Sequence, residues 1–280
     1  GKYWPSDAVA KDVSTSLWGT IVSLAESPLK EGLLVVGTDD GVIQVTDNDG
    51  KTWTKTTKFP GVPEYTYVSD VFPSNFNENV IFASFNNTKS NDFKPYLLKS
   101  TDKGKTWTSI ASDLPSGAVH TVVQDPVNKN LLFVGTEFGF YFSLNGGQHW
   151  IKLGGGMPVI PVRDIAIQKR EKDLVIATFG RGIYIMDDYS ALRHITAEKL
   201  KNTEAILFPT RDALMYIQKN NRYGTGSAYY QAPNPPFGAN FTYYLRDVPQ
   251  TLKQQRLKKE KELFKKSEPI PQPTREELNK

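Results

Sequence analysis

The sequence predicts an all-β protein built from repeated four-stranded units. Three observations carry that expectation. An eight-residue stretch occurs three times: Thr46–Trp53 reads TDNDGKTW, Ser100–Trp107 reads STDKGKTW and Ser143–Trp150 reads SLNGGQHW. An apolar run before it also returns: Leu33–Thr38 (LLVVGT) matches Leu131–Thr136 (LLFVGT), with Val80–Ser84 (VIFAS) and Leu174–Thr178 (LVIAT) in the same place. The tryptophans that end the three stretches lie 54 and 43 residues apart. Periods of about 40–50 residues, with about four strands each, mark the blades of a β-propeller.

The repeated stretch has the chemistry of a hairpin turn. It follows the β-type runs Val42–Val45, Tyr96–Lys99 and Phe140–Phe142, and leads into Thr54–Thr57, Thr108–Ala111 and Ile151–Leu153. Asn48, Asp102 and Asn145 are side chains that accept from backbone N–H groups a few residues on. Gly50, Gly104 and Gly147 supply positive φ without steric cost. Trp53, Trp107 and Trp150 are expected to bury a large area over the hairpin. These turns resemble the Asp-box, or bacterial neuraminidase repeat. Leu33–Trp53, Phe93–Trp107 and Leu131–Asp188 resemble large secreted bacterial proteins described as glycosyl hydrolases or sortilin N-terminal domains, over about residues 18–250. The resemblance implies a propeller whose Asp-boxes are structural turns on the face opposite an active site. It also implies a secreted or periplasmic protein, with any signal peptide outside this chain.

Taken in order, residues 1–17 read as a connector. Four units follow, at 18–57, 65–112, 118–154 and 161–196. The fourth keeps the strand pattern but loses the turn, because Met186–Arg193 reads MDDYSALR without Gly or Trp. The expected innermost strands are Thr20–Ala25, Tyr67–Phe72, Val119–Val123 and Val162–Ile167. Aligned, they give a polar column of Ser23, Asp70, Thr121 and Asp164 beside a column of Val22, Ser69, His120 and Arg163. Ala205–Pro209 and Ala213–Gln218 read as further strands that close the ring or pack on its rim. Residues 219–238 have a linker composition. Residues 239–280 read as an incomplete second domain, with a β-sandwich-like first strand and a basic, helix-like segment. Four blades fall short of the expected ring, so the remaining blades are expected from the same or a partner chain.

Composition removes several function classes. The chain has no cysteine, so thiolate catalysis, disulfides and Cys-ligated metals are out. The net charge is +4, yet Leu252–Lys266 alone carries seven bases against two acids, which leaves the rest near neutral and without a nucleic-acid footprint. No run of apolar residues is long enough to span a membrane. No cofactor and no metal is expected, although Asp70, His120 and Asp164 are residue types that bind cations. The channel column nominates Asp70, His120, Arg163 and Asp164 as binding residues. The hairpins Gly37–Gly41, Gly135–Gly139 and Ala177–Gly182, at the blade end opposite the repeated turn, nominate Arg181 for binding. They also nominate Asp39, Asp40 and Glu137 as carboxylates for glycoside hydrolysis, which needs two acids roughly 5–9.5 Å apart. Three readings stand on this sequence: a glycan- or peptide-binding or scaffold module, part of a glycoside hydrolase whose cleft other blades complete, and a sortilin-like peptide-binding propeller.

Overall fold

The computed structural model describes residues 19–213, 215, 217 and 237–275. The connector at 1–17, nearly all of the linker at 219–238 and half of the expected strand Ala213–Gln218 lie outside them. The chain divides into two compact units, Gly1–Ile195 and Thr196–Lys280.

The first unit is a series of antiparallel sheets, each strand paired with its sequence neighbour, as expected of propeller blades. Strands β1 (Ile21–Glu26), β2 (Leu34–Thr38), β3 (Ile43–Thr46) and β4 (Thr54–Thr56) form the first sheet. The second contains β5 (Tyr67–Pro73), β6 (Ile81–Asn86), β7 (Tyr96–Ser100) and β8 (Thr108–Ser109). The third contains β9 (Val119–Gln124), β10 (Leu132–Thr136), β11 (Gly139–Ser143) and β12 (Ile151–Lys152). The fourth has three strands among the described residues: β13 (Val162–Gln168), β14 (Asp173–Thr178) and β15 (Ile183–Met186).

The cores lie between consecutive sheets. Leu33, Val35, Ile43 and Val45 pack against Val68, Val71, Ile81, Ala83 and Phe85. On the other face of the second sheet, Phe82 and Leu97 join Val122, Leu132, Val134 and Tyr141. Phe133, Phe140 and Phe142 then meet Val162, Ile165, Leu174 and Ile176. The period-2 alternation of a strand sends neighbouring residues to opposite faces. The second strand of a sheet covered on both faces is therefore apolar on both, and VIFAS and LLFVGT read as nearly continuous apolar runs.

The small residue in those runs lets the sheets approach. A Cβ on Gly37 would stand 2.4 Å from Val68 Cγ1, and one on Gly135 would stand 2.6 Å from the Val162 carbonyl oxygen. Both glycines face the innermost strand of the next sheet. Ser84 and Ala177 take the equivalent place in the second and fourth sheets.

The three repeated turns share one hydrogen-bond scheme. Thr46, Ser100 and Ser143 accept through their hydroxyls from the N–H of Gly50, Gly104 and Gly147, at 2.8–2.9 Å. Asn48, Asp102 and Asn145 accept from the N–H of Thr52, Thr106 and His149, at 2.8–3.0 Å. The glycines sit at φ 80°, 80° and 94°, where a side chain is strained. The tryptophans diverge from the expected common burial. Trp107 and Trp150 are 6% and 5% exposed, but Trp53 is 41% exposed. Trp107 lies in the core between the first and second sheets, edge-on to Phe59, and Trp150 in the next core. Trp53 belongs to no such core, since no sheet precedes the first among the described residues.

Where the fourth unit lacks the turn, Tyr189–His194 forms a 3-10 helix. Tyr189 is fully buried, and its hydroxyl donates to Asp125 Oδ2 at 2.6 Å. Arg193 Nε donates to the same oxygen at 2.8 Å. This buried cluster ties the end of the fourth sheet to the third.

In the second unit, helix α1 (Ala197–Asn202) precedes β16 (Ala205–Leu207), which pairs with β17 (Tyr243–Leu245). The expected strands at 205–209 and 239–246 are thus partners of one another. Helix α2 (Leu252–Lys265) starts at a capping box between Thr251 and Gln254 and has no buried residue, as suits a solvated basic helix. Among the described residues no helix is long and apolar enough to cross a membrane.

Candidate functional site

The site begins with a backbone irregularity that occurs in all four innermost strands. Pairing slips between Ile21 and Ser23, between Val68 and Asp70, between Val119 and Thr121 and between Val162 and Asp164. The skipped residues are Val22, Ser69, His120 and Arg163. A β-bulge inserts one unpaired residue and re-aims its side chain. The two aligned columns of the sequence are therefore the bulged residues and the residues that follow them.

The residues after the bulges form a lower tier that joins the sheets. Ser23 Oγ accepts from Val71 N at 3.0 Å, across the first and second sheets. One sheet further on, Asp70 Oδ2 accepts from Val122 N at 3.0 Å and from Thr121 Oγ1 at 3.0 Å. The same aspartate accepts from Ser23 Oγ at 3.4 Å, so it touches three sheets. Burial pushes its carboxyl up to about 6, against the hydrogen bonds from Val122 and Thr121, with the charge of Asp164 adding to the rise. Asp164 accepts from Ile165 N at 2.8 Å. Asp70, Thr121 and Asp164 line a cavity of about 370 Å³ with Leu24, Val71 and Ile165 around them. In this tier the Asp70 carboxylate bonds to the sheets on both sides of its own, and the Asp164 carboxylate bonds within its own strand.

The bulged residues form the upper tier, at the end of the strands that carries the GTDDG and GTEFG hairpins. Ser69, His120 and Arg163, from three different sheets, line one cavity of about 390 Å³. Tyr67, at the start of β5, and Asn86, Thr88 and Lys89 complete it. The last three belong to the Asn86–Lys94 insertion, which the second sheet alone carries. A 3-10 turn at Thr88–Ser90 shapes it. Asp92 anchors its far side by accepting from Tyr96 OH at 2.5 Å and Asn87 Nδ2 at 3.1 Å.

Two of the lining side chains, His120 and Arg163, meet Glu137 of the third-sheet hairpin. His120 Nε2 lies 2.8 Å from Glu137 Oε2, and Arg163 Nη1 lies 3.2 Å from each imidazole nitrogen. Arg163 Nη2 is 3.8 Å from Glu137 Oε2. Burial pushes the His120 imidazole below its usual value; the Glu137 hydrogen bond opposes this and the Arg163 charge adds to it. A ring with its proton on Nε2 donates to Glu137, while Arg163 Nη1, equidistant from both ring nitrogens, lies over the ring face. The guanidinium also lies 5.4 Å from the centre of the Phe179 ring. It is thereby held flat while its side chain stays 44% exposed.

The structure sorts the sequence-nominated residues. It brings together His120, Arg163 and Glu137. It puts Asp70 and Asp164 in the lower tier. Asp39 accepts from Thr20 N at 2.6 Å beside the first hairpin, and its charge helps burial push the Tyr67 phenol up. Asp40 is fully buried and accepts from the Thr38 hydroxyl, within the first hairpin. Arg181 is exposed in the last hairpin and lies off the cavity wall. Among the described residues no group of three or more His, Cys, Asp or Glu could hold a metal ion. Tyr67, Asn86, Thr88 and Lys89 were not singled out from the sequence. For Asn86, Thr88 and Lys89 the signal was the length of the polar insertion after VIFAS; Tyr67, at the start of β5, had none.

No protein-family model and no curated protein matches the chain. Solved structures do. An ancestral GH74 enzyme aligns over 60% of this chain and 24% of its own length, at 21% identity and a TM-score of 0.47. The GH74 enzyme of Niastella koreensis aligns over 60% and 28%, at 18% identity and 0.46. YCF48 from Cyanidioschyzon merolae aligns over 60% and 53%, at 18% identity and 0.43. The chain thus spans about a quarter of the first two proteins and about half of the third.

Proposed function

We propose that this chain is the ligand-binding arc of an extracellular Asp-box β-propeller, and that it takes a glycan in the upper-tier cavity. Further blades, from the same or a partner chain, continue the arc. One observation carries the reading: bulges at one position in successive strands turn Ser69, His120 and Arg163 into a single open cavity beside the Asn86–Lys94 insertion. Such convergence of polar side chains from separate elements is the usual make-up of a ligand site. Every lining residue is polar or, for Tyr67, amphipathic, which suits a polyol better than an apolar peptide side chain. The three repeated turns are structural in this reading, because their polar side chains are satisfied by their own backbone.

The test is a screen of immobilised glycans and peptides against the whole chain, repeated with the Asn86→Ala/Arg163→Ala double variant. Loss of one charge-assisted contact is worth about 1.5–3 kcal/mol, so the variant is expected to bind about tenfold or more weakly. Its thermal midpoint is expected to stay near that of the parent. Glycan binding that survives the double change unaltered overturns the assignment of this cavity.

A second reading, glycoside hydrolysis, rests on Glu137, whose carboxylate is 27% exposed and held by the cavity residues His120 and Arg163. A second acid would have to come from Asp39 or from further blades. Release of reducing sugar that disappears in Glu137→Gln, at an unchanged thermal midpoint, would favour it.

A further inference from the structure

We infer that the upper-tier cavity recognises a sugar carboxylate, so that its ligand is a uronate-containing glycan; this rests on the binding role proposed above and narrows its ligand. The ground is the inventory of polar atoms left over for a ligand. Asn86 Oδ1 already accepts from Thr88 N at 2.9 Å and from Thr88 Oγ1 at 2.8 Å, which leaves its NH₂ group as a donor. Burial and the nearby Asp39 charge keep the Tyr67 phenol protonated, a donor as well. Ser69 Oγ is buried and has no hydrogen-bond partner among the described residues. Lys89 is exposed on the 3-10 turn, and its ammonium pairs with no carboxylate among the described residues. Glu137 is not a lining residue; its Oε2 lies 2.8 Å from His120 Nε2 and 3.8 Å from Arg163 Nη2.

The lining thus holds two cations of different kind and no carboxylate, beside hydroxyl and amide groups. Arg163 presents a planar fork, held against the His120 ring on one side and 5.4 Å from the Phe179 ring centre. That geometry suits the plane of a carboxylate, and the charge-assisted bonds it makes are about twice as strong as neutral ones. Lys89, on a mobile stem, adds a point charge. The Tyr67, Ser69 and Asn86 groups beside them match sugar hydroxyls. A peptide carboxylate offers the same anion, but the cavity wall holds no apolar subsite for the side chain that comes with it.

The experiment is calorimetric titration of the whole chain with oligosaccharides of galacturonate, glucuronate and mannuronate and with their methyl esters. The ester keeps the sugar and removes the charge. A peptide with a free C-terminal carboxylate and its amide form the comparison arm. At least one uronate is expected to bind about tenfold or more tighter than its ester. That preference is expected to collapse in Lys89→Ala and in Arg163→Ala, while ester binding changes little in Lys89→Ala. Acid and ester binding equally, both weakened by Arg163→Ala, would overturn the carboxylate inference and leave the glycan-binding reading intact. Binding of the free-carboxylate peptide and of no sugar would overturn both, as would the absence of binding in every arm.

Discussion

Trp53 and Trp107 end the same turn and make the same bond, indole N–H to the carbonyl of Gly50 or Gly104, at 3.1 and 3.0 Å. Their energies differ because their neighbours do. Trp107 sits between two sheets, 5.7 Å from the Phe59 ring centre, and is 6% exposed, against 41% for Trp53. Trp107→Ala is expected to cost about 3–5 kcal/mol by lost burial and the cavity left behind. Trp53→Ala should cost only about 1 kcal/mol, because little apolar area is removed from water there in the first place. Urea unfolding of the two variants checks this, and equal losses would contradict the packing described. Glycine shows the same dependence on context. Gly104 answers to φ, whereas Gly37 answers to the Val68 side chain of the next sheet.

Between elements, Ser23, Asp70 and Thr121, each following a bulge, latch the first three sheets to one another, and Asp70 is the latch that carries a charge. Its carboxyl is raised to about 6 in the folded protein, against about 4 for a free aspartate. The folded state then binds a proton that the unfolded chain releases between those two values. Folding stability contributed by this group is greatest below about pH 4 and falls as pH rises towards 6. At one pKa unit per about 1.4 kcal/mol, the loss is at most about 3 kcal/mol, and solvent at the cavity reduces it. Asp70→Asn keeps an acceptor for Val122 N and removes the ionisation. The variant is expected to gain stability over the parent at pH 7.5 and to match it near pH 4. A stability difference that does not change between those two pH values would show that the ionised carboxylate carries no burial penalty.

On the scale of the whole molecule, the three sheet-on-sheet interfaces leave the fourth sheet with one face uncovered. Ile183 and Ile185 are 66% and 62% exposed there, and Phe179 is 67% exposed. Between the first and fourth sheets each facing pair is covered by another sheet of the same kind, so a further sheet is the occupant that fits. Sedimentation of the particle that carries this chain is expected to give a mass well above 31.4 kDa, or the chain as part of a longer polypeptide. A stable monomer of that mass, with no change on Ile183→Lys/Ile185→Lys, would mean that the face needs no cover. The upper-tier cavity would then be complete as it stands.

The repeat, the period-2 runs and the turn chemistry were legible in the chain because they are local: a strand alternates every second residue, and a turn is satisfied within its own eight residues. That local logic determined the sheets and even aligned Ser69, His120 and Arg163 in one column. It could not say which columns face a ligand. A bulge is a slip in pairing between two strands, and nothing in either strand alone marks it. Asp40 and Glu137 occupy similar hairpins, yet one is buried as an anchor and the other stands beside His120. Lys89 reaches the cavity through an insertion whose sequence has no partner in the other units. Those assignments depend on which neighbouring sheet lies against each residue, and burial and hydrogen bonding are set by that contact, so only the tertiary structure decided them.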